Sequence, residues 1–341
     1  MAHRPLHLAV VGATDRVGRA VLELLEDRDV PLASLRLFTT DDAAAPTVEF
    51  RGDDVPVAAP SDGAFRGCDV ALLAVGPEAA RALAPRIRAD GVLVVDGSDA
   101  FRADPDVPLV VPDVNPEAVI QAKGRGIVAS PGPIAAAVST VLAPLAREAG
   151  LERASIVALQ SASIAGQPGL DQLEREARDL LSFREPEAGK AFAARLAFNL
   201  VPLAGAVGAD GSTAAERELA TEPRKVLGLP DLRLSATCVR VPVFYGHAAA
   251  VTLATVRPLP AAVARELLRE APGVKVLDAP AEGVVPMPML AVVDDGVEVG
   301  RIRDDATQPN GLTLFVAVDD VKTAAAGGLV RIAGLLAEQV L

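Results

Sequence analysis

The sequence predicts an α/β chain, with a doubly wound parallel sheet on the N-terminal side followed by an α+β domain. Three observations carry that reading. A continuous apolar run at residues 8–11 leads into the glycine turn GATDRVG, as a strand buried on both faces does before a crossover helix. Short apolar runs and helical patterns then alternate as far as Asp96, the signature of a parallel sheet. After Ile127 the texture changes to longer alternating runs with irregular links, which suits an antiparallel or mixed sheet.

The elements follow in order. Residues 19–26 carry apolar side chains at helical spacing. Residues 35–38 read as a second strand, 48–50 and 55–57 as weaker ones, and 70–75 as another buried strand. Residues 78–89 are helical, 92–96 form a strand, and 109–111 a short one. The stretch IVASPGPIAAAVSTVLAPL, residues 127–145, reads as a short buried strand, a Ser-Pro-Gly-Pro turn and an apolar helix starting near Ile134. Strand patterns at 155–163, 234–243, 248–256, 297–302 and 312–318 alternate with helical patterns at 169–183, 216–226 and 260–270. Residues 321–341 form a final helix rich in Ala and Leu. The expected division is 1–129 plus 319–341 for the first domain and 130–318 for the second.

With 341 residues, 50% of them hydrophobic and 23% charged, the chain has core enough for two domains. Aromatics make up 3% and Trp is absent, so the core is aliphatic and base-stacking platforms are not expected. A net charge of −12 argues against nucleic acid or an anionic membrane as partner. It leaves room for a local basic pocket. Two cysteines, Cys68 and Cys238, do not make a disulfide framework, which fits a reducing compartment. With no signal-peptide pattern at the start and no apolar run long enough to span a bilayer, a cytoplasmic location is expected.

Four local features point to chemistry. GATDRVG keeps Gly12 and Gly18 but carries Asp15 where a dinucleotide turn often has its middle glycine. A carboxylate there would oppose a pyrophosphate by roughly 1–3 kcal/mol at intermediate dielectric. The turn reads either as a cofactor site or as scaffold alone. Asp41 and Asp42 close the second strand, where an acid binds the ribose of NAD and repels the 2′-phosphate of NADP; a solvated loop acid is the alternative. His247, between two strand runs, reads as a structural histidine or as a general acid or base. Arg240 lies inside an apolar strand, and a buried arginine needs an anion, either an internal carboxylate or a bound one.

These pieces together resemble the aspartate-semialdehyde dehydrogenase family over nearly the whole chain. The resemblance is carried by VVGATDRVG, SDAFRADPDVPLVVPDVNPEAV, IVASPGP, LQSASIAG, AFNLVPLAG, TEPRKVLG, SATCVRVPVFYGHAAAV, VGRIRDD and VDDVKTAAAGGLVRIA. It implies a Rossmann-type first domain, a dimerisation/substrate second domain, and NADP-linked, phosphate-dependent chemistry through a cysteine thioacyl intermediate. By the same resemblance Gln160 falls on the glutamine of the family's Y-Q-A motif and His247 on its acid/base. Arg240 falls on the carboxylate-binding arginine, Arg102 on the phosphate-binding one and Glu216 on the glutamate that holds the substrate amine. Gly12, Ala13, Thr14, Val17 and Gly18, with Asp42, fall on the cofactor side.

The departures are as specific as the matches. The family's N-C-S/T triplet is replaced by Gly132-Pro133-Ile134, so no cysteine stands at Gly132 or Pro133. The Arg-Ser pair for the 2′-phosphate appears as Asp42-Ala43, the S-A-G-G loop as Ala74-Val75-Gly76-Pro77, the phosphate-site lysine as Glu218, and the asparagine of D-N as Asp320. With Asp15 in the glycine turn, Asp42 and Glu218 put negative charge where the family binds anions. The sequence therefore implies a homologue without the dehydrogenase reaction, a pseudoenzyme or ligand-binding partner that takes a small dicarboxylate. No cofactor is expected, NAD being favoured over NADP if one binds, and no metal. The expected assembly is a homodimer, or a heteromer with an active family member. The alternative is an active oxidoreductase using NAD and an altered mechanism.

Overall fold

The computed structural model describes residues 5–28, 30–41, 46–292 and 296–341. The described chain divides into two compact units, Met1–Gly132 with Val321–Leu341, and Pro133–Asp320.

The first unit is a doubly wound α/β layer. Its strands are β1 (Leu6–Val11), β2 (Leu32–Phe38), β3 (Thr47–Phe50), β4 (Asp53–Ala58), β5 (Val70–Leu73), β6 (Leu93–Asp96) and β7 (Ile127–Ala129). They form one sheet in the order β3-β4-β2-β1-β5-β6-β7. Every pairing is parallel except β3 with β4. Strands β5 and β6 are buried along their whole length, which is why they read as unbroken apolar runs. Helices α1 (Arg16–Asp27), α2 (Pro77–Ala89) and α3 (Ala122–Arg125) complete the unit before the chain leaves it.

The expected strand at 109–111 is absent. Leu109 makes only an isolated bridge to Ala129. Asn115 takes the backbone instead, its Oδ1 accepting from the Val111 N–H at 2.9 Å and its Nδ2 donating to the Leu109 carbonyl at 3.0 Å. Pro108 and Pro112 on either side remove the N–H groups a longer ladder needs.

The second unit is a six-stranded mixed sheet with helices. In chain order it contains α4 (Pro133–Ala149), β8 (Leu151–Gln160), α5 (Gly166–Leu181), α6 (Ala214–Leu227), β9 (Arg233–Arg240) and β10 (His247–Thr255). It continues with α7 (Ala261–Arg269), β11 (Val274–Val276), α8 (Pro288–Ala291), β12 (Val297–Asp305) and β13 (Gly311–Val318). The strand order is β11-β12-β13-β10-β8-β9. β8 and β9 run parallel, as do β11 and β12, and the remaining pairs are antiparallel. The apolar helix α4 packs on β8, β10, β12 and β13. The sheet's opposite face leaves Val157 40% exposed.

The chain returns to the first unit through a π-helical turn that starts at Asp320 and leads into α9 (Gly327–Gln339). Leu329, Ile332 and Leu336 of α9 are fully buried in the same core as Leu8, Leu25 and Leu72. Each such side chain contributes roughly 1.5–3 kcal/mol by leaving water. The terminal segment is thus part of the first unit's core.

Candidate functional site

In the second unit, the candidate residues gather at one end of three adjacent strands. Gln160 closes β8, His247 opens β10, and Asp320 follows β13 by two residues. His247 pairs with Val318 across the β10–β13 ladder. Gly246 places the histidine: its φ is +79° and a Cβ there would lie 2.4 Å from the Pro288 carbonyl oxygen, so only glycine fits. The Gly246 N–H donates to Asp320 Oδ1 at 3.0 Å.

The imidazole is fully buried. Its Nδ1 lies 2.9 Å from Ser161 Oγ and 3.3 Å from the Ser161 amide nitrogen. Ser161 Oγ lies 2.7 Å from Ser163 Oγ, and Ser163 Oγ donates to Asp320 Oδ2 at 2.6 Å. The backbone beneath these serines is held by the opposite segment, with Ala162 donating to the Val243 carbonyl and Ser163 to that of Phe244. The sequence marked Gln160 and His247; the two serines between His247 and Asp320 were missed. Ser161 caps the short 3-10 turn Ala162–Ala165 that follows β8, and Ser163 lies within that turn.

Arg240 sits at the end of β9, directly across the ladder from Gln160. Its guanidinium donates to Gln160 Oε1 at 2.6 Å. Burial pulls its pKa down from the ordinary arginine value. Among the described residues no carboxylate pairs with it. The internal carboxylate that the sequence left open is therefore not what satisfies this charge.

Glu216 lies at the start of α6. Its carboxylate closes a capping box at the start of α6, accepting from the Thr213 N–H at 2.8 Å and the Thr213 hydroxyl at 2.9 Å. Its other oxygen accepts from the Cys238 N–H on the edge strand β9 at 3.0 Å. Burial works to raise its pKa, but the hydrogen bonds from Thr213 and Cys238 outweigh that and hold it low. Cys238 is fully buried, and burial, with Glu216 beside it, pushes its thiol up to about 12. It is inert near neutral pH. Pro133 is the first residue of α4, where proline's missing N–H costs nothing.

In the first unit, the glycine turn is closely built. Gly12 has φ +83° and a Cβ there would meet the Ala74 carbonyl oxygen at 2.4 Å; one at Gly18 would lie 1.9 Å from the Gly12 carbonyl oxygen. The Gly12 and Ala13 N–H groups both donate to the Phe38 carbonyl, and the hydroxyls of Thr14 and Thr39 meet at 3.0 Å. Val17 packs against the unit's core from the first turn of α1. The backbone thus has the close approach a dinucleotide needs. The charge does not follow. Asp15, at the N-cap of α1 without a side-chain cap bond, has its carboxyl pushed up by burial and by Asp41. That negative field opposes an anion at this helix start. Asp42 lies outside the described residues.

Also in the first unit, Arg102 donates to the carbonyls of Ser130 and Gly97 at 2.9 and 3.0 Å. It thereby braces the residue that opens the Ser-Pro-Gly-Pro turn. Asp96, fully buried at the carboxyl end of β6, accepts from the Ser98 N–H and hydroxyl; burial raises its carboxyl, with Ser98 acting against that. It was not singled out, although strand carboxyl ends are where such sheets place function. Among the described residues no cluster of His, Cys, Asp or Glu could hold a metal, and no helix is long and apolar enough to cross a membrane.

A doubly wound dinucleotide-type unit and a mixed-sheet unit with a buried histidine at its strand ends define the class: a two-domain α/β chain with a Rossmann-type first domain. Comparison with known proteins gives the family. Residues 7–122 match the family model "Semialdehyde dehydrogenase, NAD binding domain", and 142–322 match "Semialdehyde dehydrogenase, dimerisation domain". An aspartate-semialdehyde dehydrogenase of Synechocystis sp. is 38% identical over 335 residues, 98% of each chain. One from Aquifex aeolicus is 37% identical over the same share. The crystal structure of aspartate semialdehyde dehydrogenase II from Vibrio cholerae superimposes with a TM-score of 0.95 at 33% identity, covering 99% of this chain and 100% of that one. The chain belongs to the aspartate-semialdehyde dehydrogenase family.

Proposed function

We propose that this chain is a family member without the thioacyl dehydrogenase reaction, and that it binds a small dicarboxylate at Arg240 as a regulatory or partner subunit. The observation that carries the reading is the absence of an activatable thiol. Proline opens the helix where the resemblance puts the nucleophile, and the second unit's one cysteine is fully buried with its thiol near 12. Covalent catalysis needs an accessible, ionisable nucleophile. Cys68, in the first unit, is also buried, and burial raises its thiol too.

The ligand part of the reading rests on Arg240. A half-buried guanidinium with an amide partner and no carboxylate favours an anion from outside. Gln160 orients it. Glu216, its carboxylate occupied by Thr213 and Cys238, is proposed to position α6 rather than to hold an amine. Dinucleotide binding is proposed to be weak, with NAD ahead of NADP, because Asp15 opposes what Gly12 and Gly18 permit. The proposed assembly is a dimer through the second unit, whose sheet face exposes Val157 and whose loops expose Phe198 and Leu200.

A second reading has one observation in its favour. His247 lies in an ordered hydrogen-bond chain ending at a carboxylate, an arrangement suited to an acid/base in hydride chemistry with NAD. Thermal-shift titration separates the two. The first reading expects stabilisation by succinate, lost in Arg240→Ala, and no response to micromolar NAD or NADP. Stabilisation by micromolar dinucleotide and indifference to succinate would overturn it in favour of the second.

A further inference from the structure

We propose that Ser161, Ser163 and Asp320 form a directed proton relay that fixes His247 as its Nδ1–H tautomer and leaves Nε2 as the basic nitrogen. The inference rests on the geometry of the second unit alone and goes beyond either reading above. It makes these three positioning residues.

The direction of the relay follows from a count of protons. A carboxylate is acceptor-only, and a serine hydroxyl has one proton to give. Asp320 accepts from the Gly246 N–H on Oδ1 and from the Ser163 hydroxyl on Oδ2. Ser163 has then spent its proton, so at its 2.7 Å contact it accepts from Ser161. Ser161 has in turn spent its own, so at the 2.9 Å contact it accepts from His247 Nδ1–H. Every proton in the chain points toward Asp320. The Ser161 N–H also donates toward Nδ1 at 3.3 Å; that weaker contact fits the opposite polarity, in which all three protons reverse together. The chain therefore has two self-consistent states and no mixed one. The ionised carboxylate, with two donors aimed at it, selects the first.

Burial makes this selection strong. Ser161 and His247 are completely buried, and Ser163 and Asp320 nearly so. Water cannot stand in for a missing donor, and a low-dielectric site strengthens each bond. The relay does for this imidazole what a directly bonded carboxylate does in a triad, at the remove of two hydroxyls. A proton taken up at Nε2 can leave from Nδ1 through Ser161 and Ser163 to Asp320, each oxygen passing one on as it receives one.

Nitrogen-15 NMR of the full chain, labelled at histidine, reads the tautomer. The sequence has three histidines, and His247 is assigned by elimination with His3→Gln and His7→Gln. With the ring neutral, the proposal expects Nδ1 protonated and Nε2 bare in the wild type. In Asp320→Asn the side-chain carbonyl stays with the Gly246 N–H, so the amide NH2 faces Ser163 and reverses every bond. Ser163→Ala frees the Ser161 proton for Nδ1. Both variants should switch His247 to Nε2–H, and Ser161→Ala should make the tautomer insensitive to Asp320→Asn. A bare Nδ1 in the wild type overturns the proposal without any variant. So does an unchanged tautomer in folded Asp320→Asn or Ser163→Ala.

Discussion

Glu216→Ala tests whether this carboxylate is part of the architecture or waits for a ligand. The wild-type side chain accepts three hydrogen bonds, from the Thr213 N–H, the Thr213 hydroxyl and the Cys238 N–H. Truncation removes one half of a capping box, and such cap losses cost about 0.5–2 kcal/mol. It also leaves the N–H of fully buried Cys238 without its acceptor, at about 1–3 kcal/mol. The two effects share one side chain, so a total of about 2–4 kcal/mol is expected. Because β9 is an edge strand, the Cys238 amide should also exchange faster, while amides in the first unit keep their protection. Urea unfolding followed by circular dichroism gives the first number and hydrogen exchange the second. The pH dependence has a definite sign. The folded pKa of Glu216 lies below its ordinary value, so its stabilisation is present above about pH 4.3 and fades as the pH falls through the folded pKa. The gap between wild type and Glu216→Ala should therefore narrow in acid. A loss below about 0.5 kcal/mol at neutral pH, the size of an ordinary surface substitution, would refute the architectural role.

Three further outcomes are expected. Neither Cys68 nor Cys238 should react with a thiol reagent in the native chain near pH 8, and both should react in denaturant, because burial raises both thiols; a fast-reacting native thiol would contradict this. Asp15→Asn should tighten NAD binding about tenfold by calorimetry, since removing the charge relieves roughly 1–3 kcal/mol of repulsion; unchanged affinity would remove Asp15 as the obstacle. Val157→Asp, on the uncovered sheet face, should give a monomer by light scattering if that face joins two copies. A persistent dimer would move the interface elsewhere.

Much of this was legible in the sequence because its signals are local. The apolar run before Gly12 and the alternation to Asp96 gave the doubly wound sheet, and Ser-Pro-Gly-Pro marked the start of α4 to within one residue, at Pro133. The strand expected at 109–111 failed because Asn115, four residues beyond Val111, captures its backbone, and strand propensity does not register such competition. Gln160, His247 and Arg240 proved to be neighbours at one end of the second sheet. The partners that define their states were not legible. Ser163 and Asp320 are 157 positions apart, and Glu216 reaches across 22 positions to Cys238. Only the fold brings such pairs together. Glu216 in particular lies three residues after Thr213, the spacing of a capping box, a local signal that sits in the sequence itself.

The most direct test of the central claim is phosphate-dependent oxidation of aspartate semialdehyde by the pure chain, with NAD and with NADP. No turnover above the protein-free rate is expected with either cofactor, with Pro133→Cys measured alongside. Turnover by the wild type at the rate of an ordinary family member would contradict it outright.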